Sequence, residues 1–176
     1  LCTIDSGASH ADLTDEYAAM PVEMKQVAAF FGKAVLNEVN EAEFYEKISD
    51  VRKACGDRAV LRAMHFFDEN QRVRLQVRAL RNDNFAAFLN YVNASGSSSW
   101  VKLQNVTALG AVEHQEMAFT IALCKKLLGG EGAVRVHGGG FAGTALAFVP
   151  NDRFAAFKHD VERVLGDGAC HPLKIS

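Results

Sequence analysis

The residues whose types and spacing could do chemistry are Gly138, Gly139, Gly140, Phe141, Ala142 and Gly143. Glycine reaches positive φ without penalty and lets a second backbone come close. A glycine-rich loop can therefore set out a concave row of N–H groups able to hold an anion such as a phosphate. The flanking runs, 133–136 and 144–149, are apolar, with β-branched or aromatic residues bounded by breakers, and both read as strands. The glycines thus join two strands. They do not lead from a strand into a helix, which sets the loop apart from the Rossmann and Walker-type phosphate fingerprints. On spacing alone, a glycine-rich hairpin without a ligand is the better reading.

Other candidate groups point away from metal and covalent chemistry. Cys2, Cys55, Cys124 and Cys170 are far apart, with no Cys-x-x-Cys pair, and read as reduced, mostly buried thiols in apolar surroundings. His10, His65, His114, His137, His159 and His171 are scattered, with no helical metal-site spacing. Asp5 reads as a turn or strand-end residue. Glu41, Glu43 and Glu46, like Arg72, Arg74 and Arg78, read as solvated helix faces. Trp100, after Ser97-Ser98-Ser99, reads as a packed anchor. The net charge of −2 offers no basic excess for nucleic acid or an anionic membrane. No apolar run approaches the ~20 residues of a membrane span. The first residue is Leu1, inside a strand-like run, which suggests a longer chain upstream.

The elements that must position the loop follow from periodicity. Residues 1–4 read as the end of a strand and 5–12 as a polar turn. Asp12 is a candidate cap for a helix carrying Met20, Met24, Val27, Ala28 and Phe31 on one face. Pro21 either ends a short helix or kinks a longer one, and Gly32 is a natural stop. Asn40 with Glu43 reads as a capping pair for a helix through Phe44, Ile48, Val51 and Cys55. The longest helix is expected from Asp57 to about Arg81, with Val60, Met64, Phe67, Val73, Val77 and Leu80 inward. Asp83 opens another, with Phe85, Phe88, Leu89 and Val92 inward, and 93–99 reads as a Ser/Gly-rich break. A helix from Val112 to Leu128 ends at Gly129-Gly130. After the two strands, Asn151 caps a helix through Leu165, and 170–175 reads as an edge strand because of Pro172. The sum is an α+β fold, a small antiparallel sheet covered by helices.

The run Arg135-Val136-His137-Gly138-Gly139-Gly140-Phe141-Ala142-Gly143-Thr144, followed by Phe148-Val149-Pro150-Asn151, resembles the third motif of the GHMP kinases, most closely that of bacterial galactokinases. The stretch from Asp5 to Tyr17, the run Arg62-Ala63-Met64-His65-Phe66-Phe67-Asp68-Glu69-Asn70 and the ending Gly166-Asp167-Gly168-Ala169-Cys170-His171 are similar to the same family, in the family's order. The resemblance implies the C-terminal part of a galactokinase, a ferredoxin-like domain over 13–176, with 1–12 as the tail of a preceding N-terminal kinase domain. It implies that Tyr17 contacts galactose, a task suited to a phenol that donates, accepts and packs. It also implies that Gly138, Gly139, Gly140, Phe141, Ala142 and Gly143 support the ATP-phosphate loop. His137 and Ala142 depart from the broad family pattern, which bears on direct phosphate contact. Neither a Gly/Ser-rich phosphate loop nor a Met-Asp-Gln segment occurs in the chain. No catalytic residue and no metal ligand is therefore expected here, and the isolated chain is expected to be inactive. ATP and Mg²⁺ are expected for the full-length enzyme and none bound to this chain alone. The expected partners are galactose, ATP and the N-terminal domain, with self-association through the surface that domain covers. The location implied is cytoplasmic. The alternatives are a GHMP kinase for another small alcohol and a non-catalytic sugar sensor on the same fold.

Overall fold

The computed structural model describes residues 1–9, 11 and 13–175. Four strands form one sheet: β1 (Cys2–Asp5), β2 (Ala133–Val136), β3 (Thr144–Phe148) and β4 (Cys170–Pro172), in the order β2-β3-β1-β4. All three pairings are antiparallel, with Ile4 opposite both Ala145 and Cys170, and Val134 opposite Ala147. Strand alternation turns Cys2, Ile4, Val134, Val136, Ala145, Ala147 and Cys170 to one face. Two helices cover that face. Helix α6 (Glu116–Leu128) contributes Met117, Ile121, Cys124 and Leu128, and α7 (Phe154–Leu165) contributes Phe157 and Val161. The strand–helix–strand–strand–helix–strand order with β1 central is the ferredoxin-like arrangement, so the α+β expectation holds. The boundary expected near residue 12 does not divide the sheet. Cys2–Asp5 is hydrogen-bonded on both sides and belongs to the same core.

Between β1 and α6 lie five helices: α1 (Thr14–Phe30), α2 (Glu41–Glu46), α3 (Ile48–Cys55), α4 (Asp57–Arg81) and α5 (Phe85–Ser98). The first four, with Leu36 of the turn between α1 and α2, enclose a second core of Val27, Ala28, Leu36, Phe44, Val51, Val60, Ala63 and Phe67. Pro21 lies inside a continuous α1. The Asn40 side chain accepts from the Glu43 N–H as expected, but the helix it opens breaks at Lys47 and restarts as α3. Helix α4 spans the expected range. Its last two turns do not follow the expected burial, since Val73, Val77 and Leu80 are about half exposed. The cap of α5 is Asn84, not Asp83, and Phe85 faces outward. Helix α6 begins at Glu116, four residues later than expected, and Asn151 makes no side-chain cap to α7. Strand β4 is an edge strand, consistent with Pro172.

The Ser/Gly-rich stretch expected as a break is helical, and its small side chains are the reason. Ser95, Gly96, Ser98 and Ser99 are buried where α5 crosses the face of β2 opposite to α6. A Cβ at Gly96 would stand 2.9 Å from the Arg135 Cβ and 3.1 Å from the Val134 carbonyl oxygen. Close helix–sheet approach outweighs the weak helix propensity of serine and glycine. The chain then continues through a π-helical turn, Ser99–Leu103. Trp100 packs against the sheet core, with Lys125 Nζ 5.9 Å from its ring.

A buried polar ladder ties α4 to α5 and the sheet, and the motif 62–70 supplies it. His65 Nδ1 meets Ser98 Oγ at 2.9 Å. Glu69 accepts from Ser95 Oγ at 2.5 Å and pairs with Arg72, while Arg135 donates to Ser95 Oγ at 2.6 Å. Arg72 is therefore no solvated face residue. Burial lowers the His65 pKa below its ordinary 6.5; Glu69 and Asp68 oppose that shift, and Arg72 and Arg135 add to it. The folded imidazole stays neutral where the unfolded one takes up a proton. Stability is thus fully present above about 6.5 and declines as pH falls toward the lower folded value. His65→Asn is expected to narrow the difference in urea midpoint between pH 7.5 and pH 5.5. An unchanged difference would show that other groups carry it.

Candidate functional site

The loop between β2 and β3 is closed at its neck by His137, whose N–H donates to the Thr144 carbonyl at 3.0 Å while its Nδ1 lies 3.1 Å from Thr144 Oγ1. From there the loop divides into two parts. Gly138 and Gly139 are exposed, and their N–H groups have no acceptor among the described residues. Gly140, Phe141 and Ala142 turn inward and are buried. Phe141 takes φ +57°, a conformation that favours glycine. It is held there by an N–H bond to the Asn105 carbonyl at 2.6 Å, and a three-residue turn closes around it, Ala142 N–H to Gly140 oxygen at 2.6 Å. The far end is pinned by Ser6, whose N–H and Oγ both donate to the Gly143 carbonyl, at 2.9 and 2.7 Å.

Tyr17 meets this loop from α1. Its hydroxyl donates to the Gly140 carbonyl at 2.7 Å. Its ring stands edge-on to Phe141, centroids 5.4 Å apart at 84°, and a Cβ at Gly139 would lie 2.9 Å from its Cε1. Burial raises the phenol pKa, so the hydroxyl keeps its proton. The two expected sites, 123 residues apart in sequence, are one structural unit. Beside it lies a cavity of about 250 Å³ lined by Ala8, Ser9, Leu13, Val106, His114 and Phe141. The segment that carries part of this lining is tied to α1 by the Leu109 N–H, which donates to Glu16 Oε1 at 2.6 Å. Chemically, the unit offers two exposed glycine N–H groups, without a partner among the described residues and suited to an anion, and an aromatic hydroxyl suited to a polar ligand.

Asp5 has the turn role read for it, its Oδ1 accepting the Gly7 N–H at 2.9 Å. Asp12, the candidate cap, and His10 lie outside the described residues. Asn105 carries no signal in the sequence, since it sits in a stretch without period, and Ser6 lies inside the family-like stretch 5–17 without being singled out there. The four cysteines are free thiols, three of them buried. Burial pushes Cys124 up to about 12. Among the described residues no group of three or more His, Cys, Asp or Glu could hold a metal ion, and no helix is long and apolar enough to cross a membrane.

No family model matches the chain. Among curated proteins it is 27% identical over 164 residues to the galactokinase of Haemophilus influenzae (strain PittEE), covering 93% of this chain and 40% of that protein. It is 29% identical over 153 residues to the galactokinase of Actinobacillus pleuropneumoniae serotype 3 (strain JL03), covering 87% of this chain and 38% of that protein. Among solved structures it is similar to Lactococcus lactis galactokinase complexed with galactose, with a TM-score of 0.69, 26% identity, and coverage of 93% of this chain and 40% of that one. The chain thus spans about 40% of the length of the galactokinases it resembles, and the portion it matches is the C-terminal one.

Proposed function

We propose that this chain is the C-terminal part of a galactokinase, an enzyme that transfers the γ-phosphate of ATP to the C1 hydroxyl of galactose. The observation that supports the reading is the 2.7 Å bond from Tyr17 to Gly140, which joins the residue read as a sugar contact to the loop read as nucleotide-side support. In phosphoryl transfer the protein mainly positions the two substrates and stabilises charge. A sugar contact fixed to a phosphate-side loop serves the first task. The exposed N–H groups of Gly138 and Gly139 serve the second, by support of a neighbouring phosphate loop or by direct contact. The catalytic aspartate, the main ATP loop and the Mg²⁺ ligands fall, in this reading, to the part of the relatives that the chain does not span. The chain alone is then inactive, and the full enzyme acts in the cytoplasm. An apolar groove of about 390 Å³, lined by Leu1, Phe85, Leu89, Phe148, Val149 and Pro150, is the surface assigned to contact with that part. Phe85 is 52% exposed there, and the same surface would let isolated chains associate.

The test is ADP release by the protein encoded by the complete reading frame, offered galactose, other hexoses, mevalonate or homoserine, with this chain alone as control. Galactose-dependent turnover by the complete protein and none by the chain is the expected result. Turnover only with another alcohol, or galactose binding without turnover, would overturn it in favour of a different kinase or a sugar sensor. Tyr17→Phe is expected to raise the KM for galactose about tenfold, the scale of one lost hydrogen bond in a buried polar setting. Initial-rate kinetics over a galactose series checks it.

A further inference from the structure

The glycine loop rests on a residue that belongs to neither motif. Asn105 is 2% exposed and touches the loop twice. Its carbonyl accepts the Phe141 N–H at 2.6 Å, and its Nδ2 donates to the Gly139 carbonyl at 3.1 Å. Its Oδ1 is buried without a partner among the described residues, so the side-chain amide is oriented by the donor bond alone. The chain just before Asn105 is tied down by three contacts. Gln104 is in the left-handed conformation at φ +58°, and its N–H returns to the Ser99 carbonyl at 2.8 Å. The buried Arg62 donates its Nε to the Leu103 carbonyl at 3.0 Å, and Lys102 pairs with Asp68. A continuous set of contacts therefore runs from α4 through the π-helical turn to Asn105, then to Gly139 and Phe141, and across Gly140 to the Tyr17 hydroxyl.

We propose that Asn105 is a positioning residue that holds the glycine loop in the shape in which Gly140 meets Tyr17, so that the nucleotide and sugar sides of the site depend on each other through it. This rests on the galactokinase reading. Asn105 reaches no substrate in this account. It acts by fixing the carbonyls of Gly139 and Gly140 and the N–H of Phe141. If the loop shifts, the Tyr17 hydroxyl loses its acceptor and the Gly138–Gly139 N–H groups turn with it.

Asn105→Leu replaces the amide by an apolar group of similar volume and removes the donor to the Gly139 carbonyl without adding a charge. In the protein from the complete reading frame it is expected to raise KM for ATP and for galactose together, each about tenfold. Tyr17→Phe raises the galactose KM alone. In the double variant the galactose effect of Tyr17→Phe shrinks to less than twofold, because the Tyr17–Gly140 bond is already lost. A merely structural residue would lower kcat per protein or heat stability while leaving both KM values in place, and that result overturns the proposal. Full additivity of the two substitutions does the same. If Asn105→Leu does not fold, Asn105→Ser removes the amide and keeps the backbone bond to Phe141, and it is read in the same way. Amide hydrogen exchange on the present chain is independent of activity. Asn105→Ser should speed exchange at Phe141 and Ala142 at least tenfold relative to the sheet amides of β1 and β3, and equal rates overturn the proposal. Absence of galactose turnover in the unmodified complete protein would sink the kinase reading instead, and the exchange result would still decide the role of Asn105.

Discussion

On the galactokinase reading proposed above, Gly140→Ala is expected to abolish most galactose phosphorylation by the complete protein, with a loss of about 100-fold or more in kcat/KM for galactose. Two independent constraints act at this position. Its φ of +90° is one that an L residue rarely adopts, and an added Cβ would lie 2.0 Å from the Asn105 carbonyl oxygen and 2.6 Å from its Nδ2. The obstructing atom is backbone, fixed by the bond to Phe141, so no side-chain rotation relieves the clash. The loop must move, and with it the carbonyl that receives the Tyr17 hydroxyl. Displacement of positioning groups by about 1 Å can cost on the order of 100-fold. Gly138→Ala is the control. It shares the positive φ, at +69°, but a Cβ there meets nothing within 4 Å. It carries only the conformational term of about 1–2 kcal/mol, which exposed loop backbone can partly relax, and it should lose less than tenfold. Equal losses in the two variants would mean that backbone conformation, not the contact with Asn105, governs the site.

The sequence displays what depends on local pattern. The hairpin around 138–143, the cap at Asn40, the range of α4 and the strand at 170 are all written in breakers and periodicity. Tyr17 and the loop could each be singled out from motifs, but their contact could not. It depends on β1 lying between β3 and β4, a pairing with no local signature. The same limit hid Asn105, whose part depends on a π-helical turn that only the packing of α4 against residues 99–103 imposes. Where the sequence misled, burial was the cause. Ser95, Gly96 and Ser98 resemble a linker in composition, yet they are the residues small enough for α5 to meet β2. Val73, Val77 and Leu80 continue the apolar period of α4 past the end of the core that the period was taken to mark.

Glu23→Ala is expected to cost about 3–5 kcal/mol of folding stability, the range for leaving a buried charge without its counterion. The charge is on Arg62, whose side chain is 1% exposed. Its NH1 donates to Glu23 Oε2 at 2.9 Å and its Nε to the Leu103 carbonyl at 3.0 Å. Burial lowers the Arg62 pKa and Glu23 acts against that shift, so the carboxylate is what keeps the guanidinium tolerable inside. Glu23 also binds Arg58, through Oε1 to its NH2 at 2.5 Å, and that more exposed pair adds little. Thermal unfolding of this chain should show a midpoint lower by about 10 °C. Replacing both partners separates the cost of the orphaned charge from the worth of the bridge. With Met at position 62 no buried charge remains, and Glu23→Ala combined with Arg62→Met should recover at least half of the loss. The residual deficit measures what Arg62 contributes by holding Leu103. On the galactokinase reading it should appear in the complete protein as a higher KM for ATP, since the residues after Leu103 lead directly into the seat of the glycine loop. A double variant no more stable than Glu23→Ala would place the energy in the bonds themselves and not in the desolvated charge.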